Sequence, residues 1–356
     1  MSANRFECTA LVLLMGLSTQ AISAESEIRL GIDECEPSAL LAAACPMQHP
    51  GCLWLGDNEA NGNLFRVDDP VAASPAVERI NLKDAGGSIV EVGDIEAMAA
   101  LASRKILVVG SHGHKSDCSV EPLRQRFGIL DLATSITQIF ESQPGSDKPW
   151  SCSTAMAKVS GASAKHFCHI VETGNTEAKN IAGSDVKKKA KKEACEKLET
   201  FNIEGAAADL QSSVWLGIRA PLLPRTSANN DTSDAVLLRA QPMDWTSASG
   251  VSFDALRRLD LGGRGVRELT TSRHWLWIVA GPALDSTEVF SLYRLSWADL
   301  ESGSELLRPE KVRDLETSTE GFALVGESAY SAIDGNNKDP SCTTHKHLRK
   351  LEWPAD

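Results

Sequence analysis

The sequence contains no close cysteine pair in C-x-x-C spacing, and with it goes the usual signature of a structural zinc site. It has no G-x-S-x-G elbow, no P-loop and no G-x-G-x-x-G stretch, so neither an elbow serine nor a phosphate-cradling glycine loop has motif support. It has no basic excess. The formal net charge is −12, which argues against nucleic acid as a general partner, because phosphate binding needs a basic face. Past the first two dozen residues no run is apolar and long enough to span a bilayer, which takes about twenty residues.

What is present begins with a leader. Arg5 supplies a positive charge, Thr9 to Leu17 form a short apolar run, and Ala21-Ile22-Ser23-Ala24 offer small residues for cleavage. That order describes a secretory signal peptide over residues 1–24, leaving residues 25–356 as a single domain exported to the periplasm or secreted. Cys8 would leave with the leader. The remaining eight cysteines are Cys35, Cys45, Cys52, Cys118, Cys152, Cys168, Cys195 and Cys342, an even number as expected of disulfides in an oxidising compartment. Their connectivity is open.

The strongest signal is self-similarity. A small hinge containing glutamate precedes an apolar strand four times. The pairs are Asp94-Ile95-Glu96-Ala97 before Ile106 to Gly110, and Asn202-Ile203-Glu204-Gly205 before Val214 to Ile218. Val266-Arg267-Glu268-Leu269 precedes Trp275 to Val279, and Thr319-Glu320-Gly321-Phe322 precedes Ala329 to Ile333. A fainter copy, Glu36-Pro37-Ser38-Ala39, precedes Cys52 to Leu55. Each is followed by a second strand, often with a central basic residue, as in Leu64-Phe65-Arg66-Val67 and Leu292-Tyr293-Arg294-Leu295. Multi-stranded repeats of roughly fifty residues are in the range of propeller blades. The fold expected is all-β, a β-propeller of five to seven blades. The hinges Glu96 and Glu204 lie 108 residues apart, about twice the other intervals. That gap calls for one partly helical, cysteine-containing insertion at about 143–200, where Val186, Ala190, Ala194 and Leu198 make a helical stripe among lysines. Ile28-Arg29-Leu30 would close the ring beside Leu348 to Leu351, removing an exposed sheet edge.

These same residues resemble domain-of-unknown-function family three-six-one-six, an uncharacterised bacterial family. The marks are Ser38-Ala39, Asp57-Asn58-Glu59-Ala60-Asn61, the Glu96 and Glu204 hinges, Gly110-Ser111-His112, Gly217-Ile218-Arg219-Ala220-Pro221-Leu222 and Gly262 to Leu269. The hinge is also similar to that of exported propellers grouped with phytase-like esterases, an analogy of fold that leaves function open. The resemblance implies architecture and carries no activity.

Candidate chemistry gathers at the hinges. Innermost strands line a propeller's axis, so Glu96, Glu204, Glu268 and Glu320 are expected in an acidic ring at one channel mouth. Crowded carboxylates need a cation, arginine partners or shared protons. Calcium, with six to eight oxygen ligands, is the cation that would suit, and Asp57 and Glu59 form a second candidate cation loop. The competing explanation has the glutamates capping backbone amides or pairing with Arg219, Arg264 or Arg267. His112 is a candidate acid–base or hydrogen-bonding group. Arg219 and Arg267 are candidate anion binders. Three functions follow: small-ligand binding at the channel mouth by a monomer, metal-assisted hydrolysis of phosphate or carboxylic esters, or a protein-interaction scaffold using the insertion.

Overall fold

The computed structural model describes residues 26–28, 37–45, 51–57, 61–72, 75–142, 151–209, 213–225, 232–242, 245, 250–284, 286, 288–333, 348–351 and 353. The leader, Cys35, Glu36, Glu59 and Cys342 lie outside them.

Five antiparallel blades form the molecule. Blade 1 holds β2 (Pro37–Ala43), β3 (Cys52–Asp57), β4 (Asn63–Asp68) and β5 (Ala76–Asn81). Blade 2 holds β6 (Ile95–Leu101), β7 (Lys105–Gly110), β8 (Arg126–Asp131) and β9 (Ile136–Glu141). Blade 3 holds β10 (Asn202–Ala208), β11 (Val214–Pro224), β12 (Ser233–Ala240) and β13 (Phe253–Leu259), with the short β17 (Leu306–Leu307) added in parallel. Blade 4 holds β14 (Gly265–Thr271), β15 (Trp275–Gly281), β16 (Phe290–Ser296) and β18 (Glu310–Leu315). Blade 5 joins β19 (Thr319–Val325), β20 (Ser328–Ile333) and β21 (Leu348–Leu351) to the N-terminal β1 (Ser26–Ile28). Ile28 pairs with Leu348, so the first strand completes the last blade and closes the ring.

Five apolar clusters correspond to the five wedges between neighbouring blades. Between blades 1 and 2, for example, Trp54 and Leu64 meet Ile95, Met98 and Val108. The inner strands come close enough to require glycine. A Cβ on Gly217 would meet Val266 Cγ1 at 2.3 Å, and one on Gly56 would meet Ile95 Cγ2 at 2.6 Å. The central basic residue of the third strand also has a structural use. Arg66 lies across from Trp54, and Arg239 across from Trp215, with each guanidinium over the indole. Arg66 then reaches Glu78, and Arg239 reaches Asp254, each on the fourth strand of its blade.

The insertion between blades 2 and 3 is helical: α1 (Cys152–Ala155), α2 (Ala162–Gly183) and α3 (Lys188–Cys195). Of the stripe expected from Val186 to Leu198, Ala190 and Ala194 fall on the short α3, which has no buried residue, while Val186 lies outside it and is exposed. The substantial helix is α2. Its Ala164, Phe167, Cys168, Val171, Gly174 and Ala178 are buried, and Phe167 and Val171 join the wedge between blades 2 and 3. Cys152–Cys168 ties α1 to α2, Cys118–Cys195 ties α3 to the loop after β7, and Cys45–Cys52 closes the first hairpin. Among the described residues, no helix is long and apolar enough to cross a membrane.

Candidate functional site

In every blade the innermost strand carries one residue more than its neighbour near its start, a β-bulge. The extra residues are Ser38, Glu96, Glu204, Arg267 and Glu320. A bulge re-aims the side chain it carries, and sites favour such positions. The five-fold equivalence corrects the repeat alignment in two places. Arg267, not Glu268, is the blade 4 counterpart of the hinge glutamates, and Ser38 occupies the place assigned to Glu36. One-residue and two-residue shifts of this kind are invisible where a hinge offers adjacent polar residues. The expected acidic ring is therefore a mixed one, with a guanidinium built into it.

Ion pairs dominate the centre. Glu204 Oε1 lies 2.8 Å from Arg219 Nη1, and its Oε2 lies 2.8 Å from Arg267 Nε. Arg267 also pairs with Glu320 and sits over the Phe290 ring. Arg219 is itself an extra residue on β11, opposite the Asn202–Ile203 step, and it donates to the Ala283 carbonyl at 3.0 Å. Burial pushes the Glu204 carboxyl up, and the two guanidinium groups pull it back.

Glu268 has a different task. Its Oε2 accepts from the Leu40 backbone N–H at 3.0 Å, and its Oε1 accepts from Leu269 at 2.7 Å. Leu40 belongs to blade 1, so Glu268 reaches across the axis past blade 5. An innermost strand has one unpaired edge, and a buried N–H there needs an acceptor. Inner strands of non-adjacent blades also touch across the axis, including β14 with β2 and with β6. Glu96 is partly buried near the same axis. Burial first, then Asp94, Glu204 and Glu320, holds its carboxyl well above the ordinary range. Burial does the same to Glu268 against its two amide donors. The stability these two neutral acids contribute is present at acid pH and declines as pH rises through their raised values.

Arginine pairing and amide capping thus account for Glu204, Glu268 and Glu320. Among the described residues no three of these carboxylates bring oxygens within 4.8 Å of one another; the cluster that does consists of Asp68 with Cys45 and Cys52, which form a disulfide. Asp57 is buried at the end of β3.

His112 stands apart from the carboxylates. Its Nδ1 lies 2.7 Å from the Gly110 carbonyl, its Nε2 contacts the Ser142 hydroxyl, and its ring packs on Phe127 at 4.7 Å. Burial lowers its pKa to about 4. A group depressed in this way supports the fold above its unfolded value near 6.5, and that support is lost as pH falls toward 4. Its backbone has φ of 63°, a conformation asparagine tolerates. In His112→Asn the acid limb of the stability curve should move to lower pH, read as the midpoint of acid unfolding; an unchanged limb would assign acid sensitivity elsewhere.

Open space lies beside this centre. A cavity of about 350 Å³ is walled by His114, Lys115, Lys192, Asn202, Arg219 and Leu284, with Cys195 and Ala283. The loop after β7, the end of the insertion, and blades 3 and 4 each contribute to it, and the Cys118–Cys195 bridge fastens the first two together. Such a volume is at the small end of ligand cavities, which run about 300–1,000 Å³. Of the residues expected from sequence, Arg219 is the one that lines it. Lys115 was not anticipated as a ligand contact, and Asn202 only as part of the Glu204 hinge.

Residues 193–323 match the model of a family described as protein of unknown function (DUF3616), the family indicated by the sequence motifs. Comparison with curated proteins gives no match. Among solved structures, virginiamycin B lyase from Staphylococcus aureus aligns at 10% identity and a TM-score of 0.39, covering 93% of this chain and 99% of that one. A gluconolactonase from Xanthomonas campestris aligns at 8% and 0.40, covering 94% and 91%. Hydrazine synthase from Kuenenia stuttgartiensis aligns at 9% and 0.34; the alignment covers 88% of this chain and 60% of that longer one. At these identities the likeness concerns the fold alone.

Proposed function

We propose that the protein is a ligand-binding propeller that takes a small anion into the cavity beside the channel mouth, and that it works as an exported monomer in the periplasm or outside the cell. The observation that carries this reading is the lining of an open pocket, to which Lys115, Lys192 and Arg219 contribute three cations against one acidic residue, Glu196. Guanidinium and ammonium groups are the natural partners of carboxylate and phosphate. Arg219 is held rigidly by Glu204 and the Ala283 carbonyl, whereas Lys115 and Lys192 are long and about half exposed, so they can adjust to an occupant. The central ion pairs thus serve as the platform that fixes Arg219. The three disulfides among the described residues suit an oxidising compartment.

The test is thermal denaturation against a panel of small carboxylates and phosphates. A bound anion should raise Tm in proportion to its saturation. In Lys115→Gln/Lys192→Gln, which alters surface charge without touching the core, that rise should vanish while the unliganded Tm stays put. A panel that leaves the wild-type Tm unmoved at millimolar concentration would end the proposal.

A further inference from the structure

We infer that the anion taken by this cavity is hydroxylated: a small carboxylate or phosphate carrying a hydroxyl beside its charged group. This rests on the anion-binding reading and adds a chemical requirement to it. The requirement comes from two buried polar atoms on residues that line the cavity. Asn202 Nδ2 donates to Glu204 Oε1 at 3.0 Å. Glu204 is further gripped by Arg219 and Arg267, and an ionised carboxylate only accepts, so the amide cannot turn its oxygen that way. Asn202 Oδ1 is thereby fixed as an acceptor, and it is buried without a protein donor. His114 Nδ1 is likewise buried without a partner. Burial and the neighbouring Arg124, which donates to the His114 carbonyl at 3.2 Å, both disfavour a charged imidazole. The cavity thus has an obligate acceptor and a neutral imidazole nitrogen behind its cationic rim.

A bare carboxylate or phosphate satisfies the cations and worsens the rest, because it brings more acceptors to an unsatisfied acceptor. A hydroxyl resolves this, since it donates to Asn202 Oδ1 while its own oxygen remains available to His114. An ammonium group would also donate, but it would enter a wall whose cations already outnumber its acidic residue. Asn202 and His114 both line the cavity, while the two orphaned atoms are themselves buried. An occupant that reaches them satisfies two buried groups, and that gain offsets the cost of entry.

Four-carbon dicarboxylates make a matched test, with malate carrying a hydroxyl, aspartate an ammonium and succinate neither. Isothermal titration on the intact protein should give malate at least about tenfold tighter than succinate and tighter than aspartate, since a site built around a hydroxyl discriminates strongly against its loss. Glycerol phosphate against propyl phosphate asks the same question with a phosphate as the charged group. Whichever pair binds more tightly identifies that group. Asn202→Leu should bring malate down to the succinate affinity and leave succinate unchanged. If that variant does not fold, His114→Phe provides the same comparison. Equal affinities for malate and succinate, with both displaced by Lys115→Gln/Lys192→Gln, would overturn the hydroxyl requirement and leave the anion site standing. Aspartate binding more tightly than malate would overturn it in favour of an amino acid. Binding by none of these acids or phosphates would remove both readings together.

Discussion

Glu204→Ala should lower stability by about 3–5 kcal/mol, the usual cost of breaking a buried ion pair by removing one partner. Glu204 is 2% exposed and its two oxygens each meet a guanidinium, so the variant takes a buried carboxylate from Arg219 and Arg267 at once. Arg267 retains Glu320 and Arg219 retains the Ala283 carbonyl, but each guanidinium loses the carboxylate oxygen that Glu204 held against it. In a domain of this size the loss should appear as a fall in Tm of roughly 4–7 °C. Glu204→Gln should cost less, because it keeps one carbonyl acceptor for the same donors. In the double variant Glu204→Ala/Arg267→Met the loss should fall short of the sum of the singles, as for groups sharing one network. A change in Tm below about 2 °C for Glu204→Ala would mean that water screens the centre as it does a surface pair. The platform argument for Arg219 would then fail.

That expectation depends on a position the repeat did reveal, and the contrast with Glu268 shows where such reading stops. Apolar second strands such as Ile106 to Gly110 stand out because they are buried on both faces between stacked blades. Their third-strand neighbours stand out through an arginine opposite a tryptophan. The fourth strands do not. Ala76–Asn81 and Glu310–Leu315 sit at the outer edge, mostly exposed, and their composition is that of any polar surface strand. The hinges were legible as a repeat, yet the bulge separates neighbours by role. Arg267 turns into the ring, while Glu268 reaches over the axis to Leu40. Nothing in Val266-Arg267-Glu268-Leu269 says which of two adjacent charges the extra residue will be. The cavity was still less accessible, since His114, Lys192, Asn202 and Leu284 come from four separate segments that only ring closure and the Cys118–Cys195 bridge assemble.

The insertion offers the sharpest separation between two views of its purpose. As a docking arm it would be dispensable to the propeller, and excising residues 151–200 would leave the ring intact. The packing gives the opposite expectation. Phe167 and Val171 are fully buried, and they sit with Met156 among Phe127, Phe140, Trp245, Leu223 and Phe253, residues drawn from both flanking blades and the segment between them. Phe167 and Phe201 also meet edge to face at 6.2 Å. α2 therefore supplies part of the apolar filling of this wedge. Removing the helix would expose a contiguous apolar surface of the kind that drives aggregation. Excision of 151–200 should therefore yield protein that fails to fold cooperatively. The graded version is Phe167→Ala, which should cost about 3–5 kcal/mol through lost burial and the cavity left behind. His166 and His169, its neighbours on α2, are not among the buried residues of that helix, so His169→Ala serves as the matched control and should leave Tm nearly unchanged. If Phe167→Ala and His169→Ala melt alike, the helix merely rests on the propeller, and its true contact lies with another molecule.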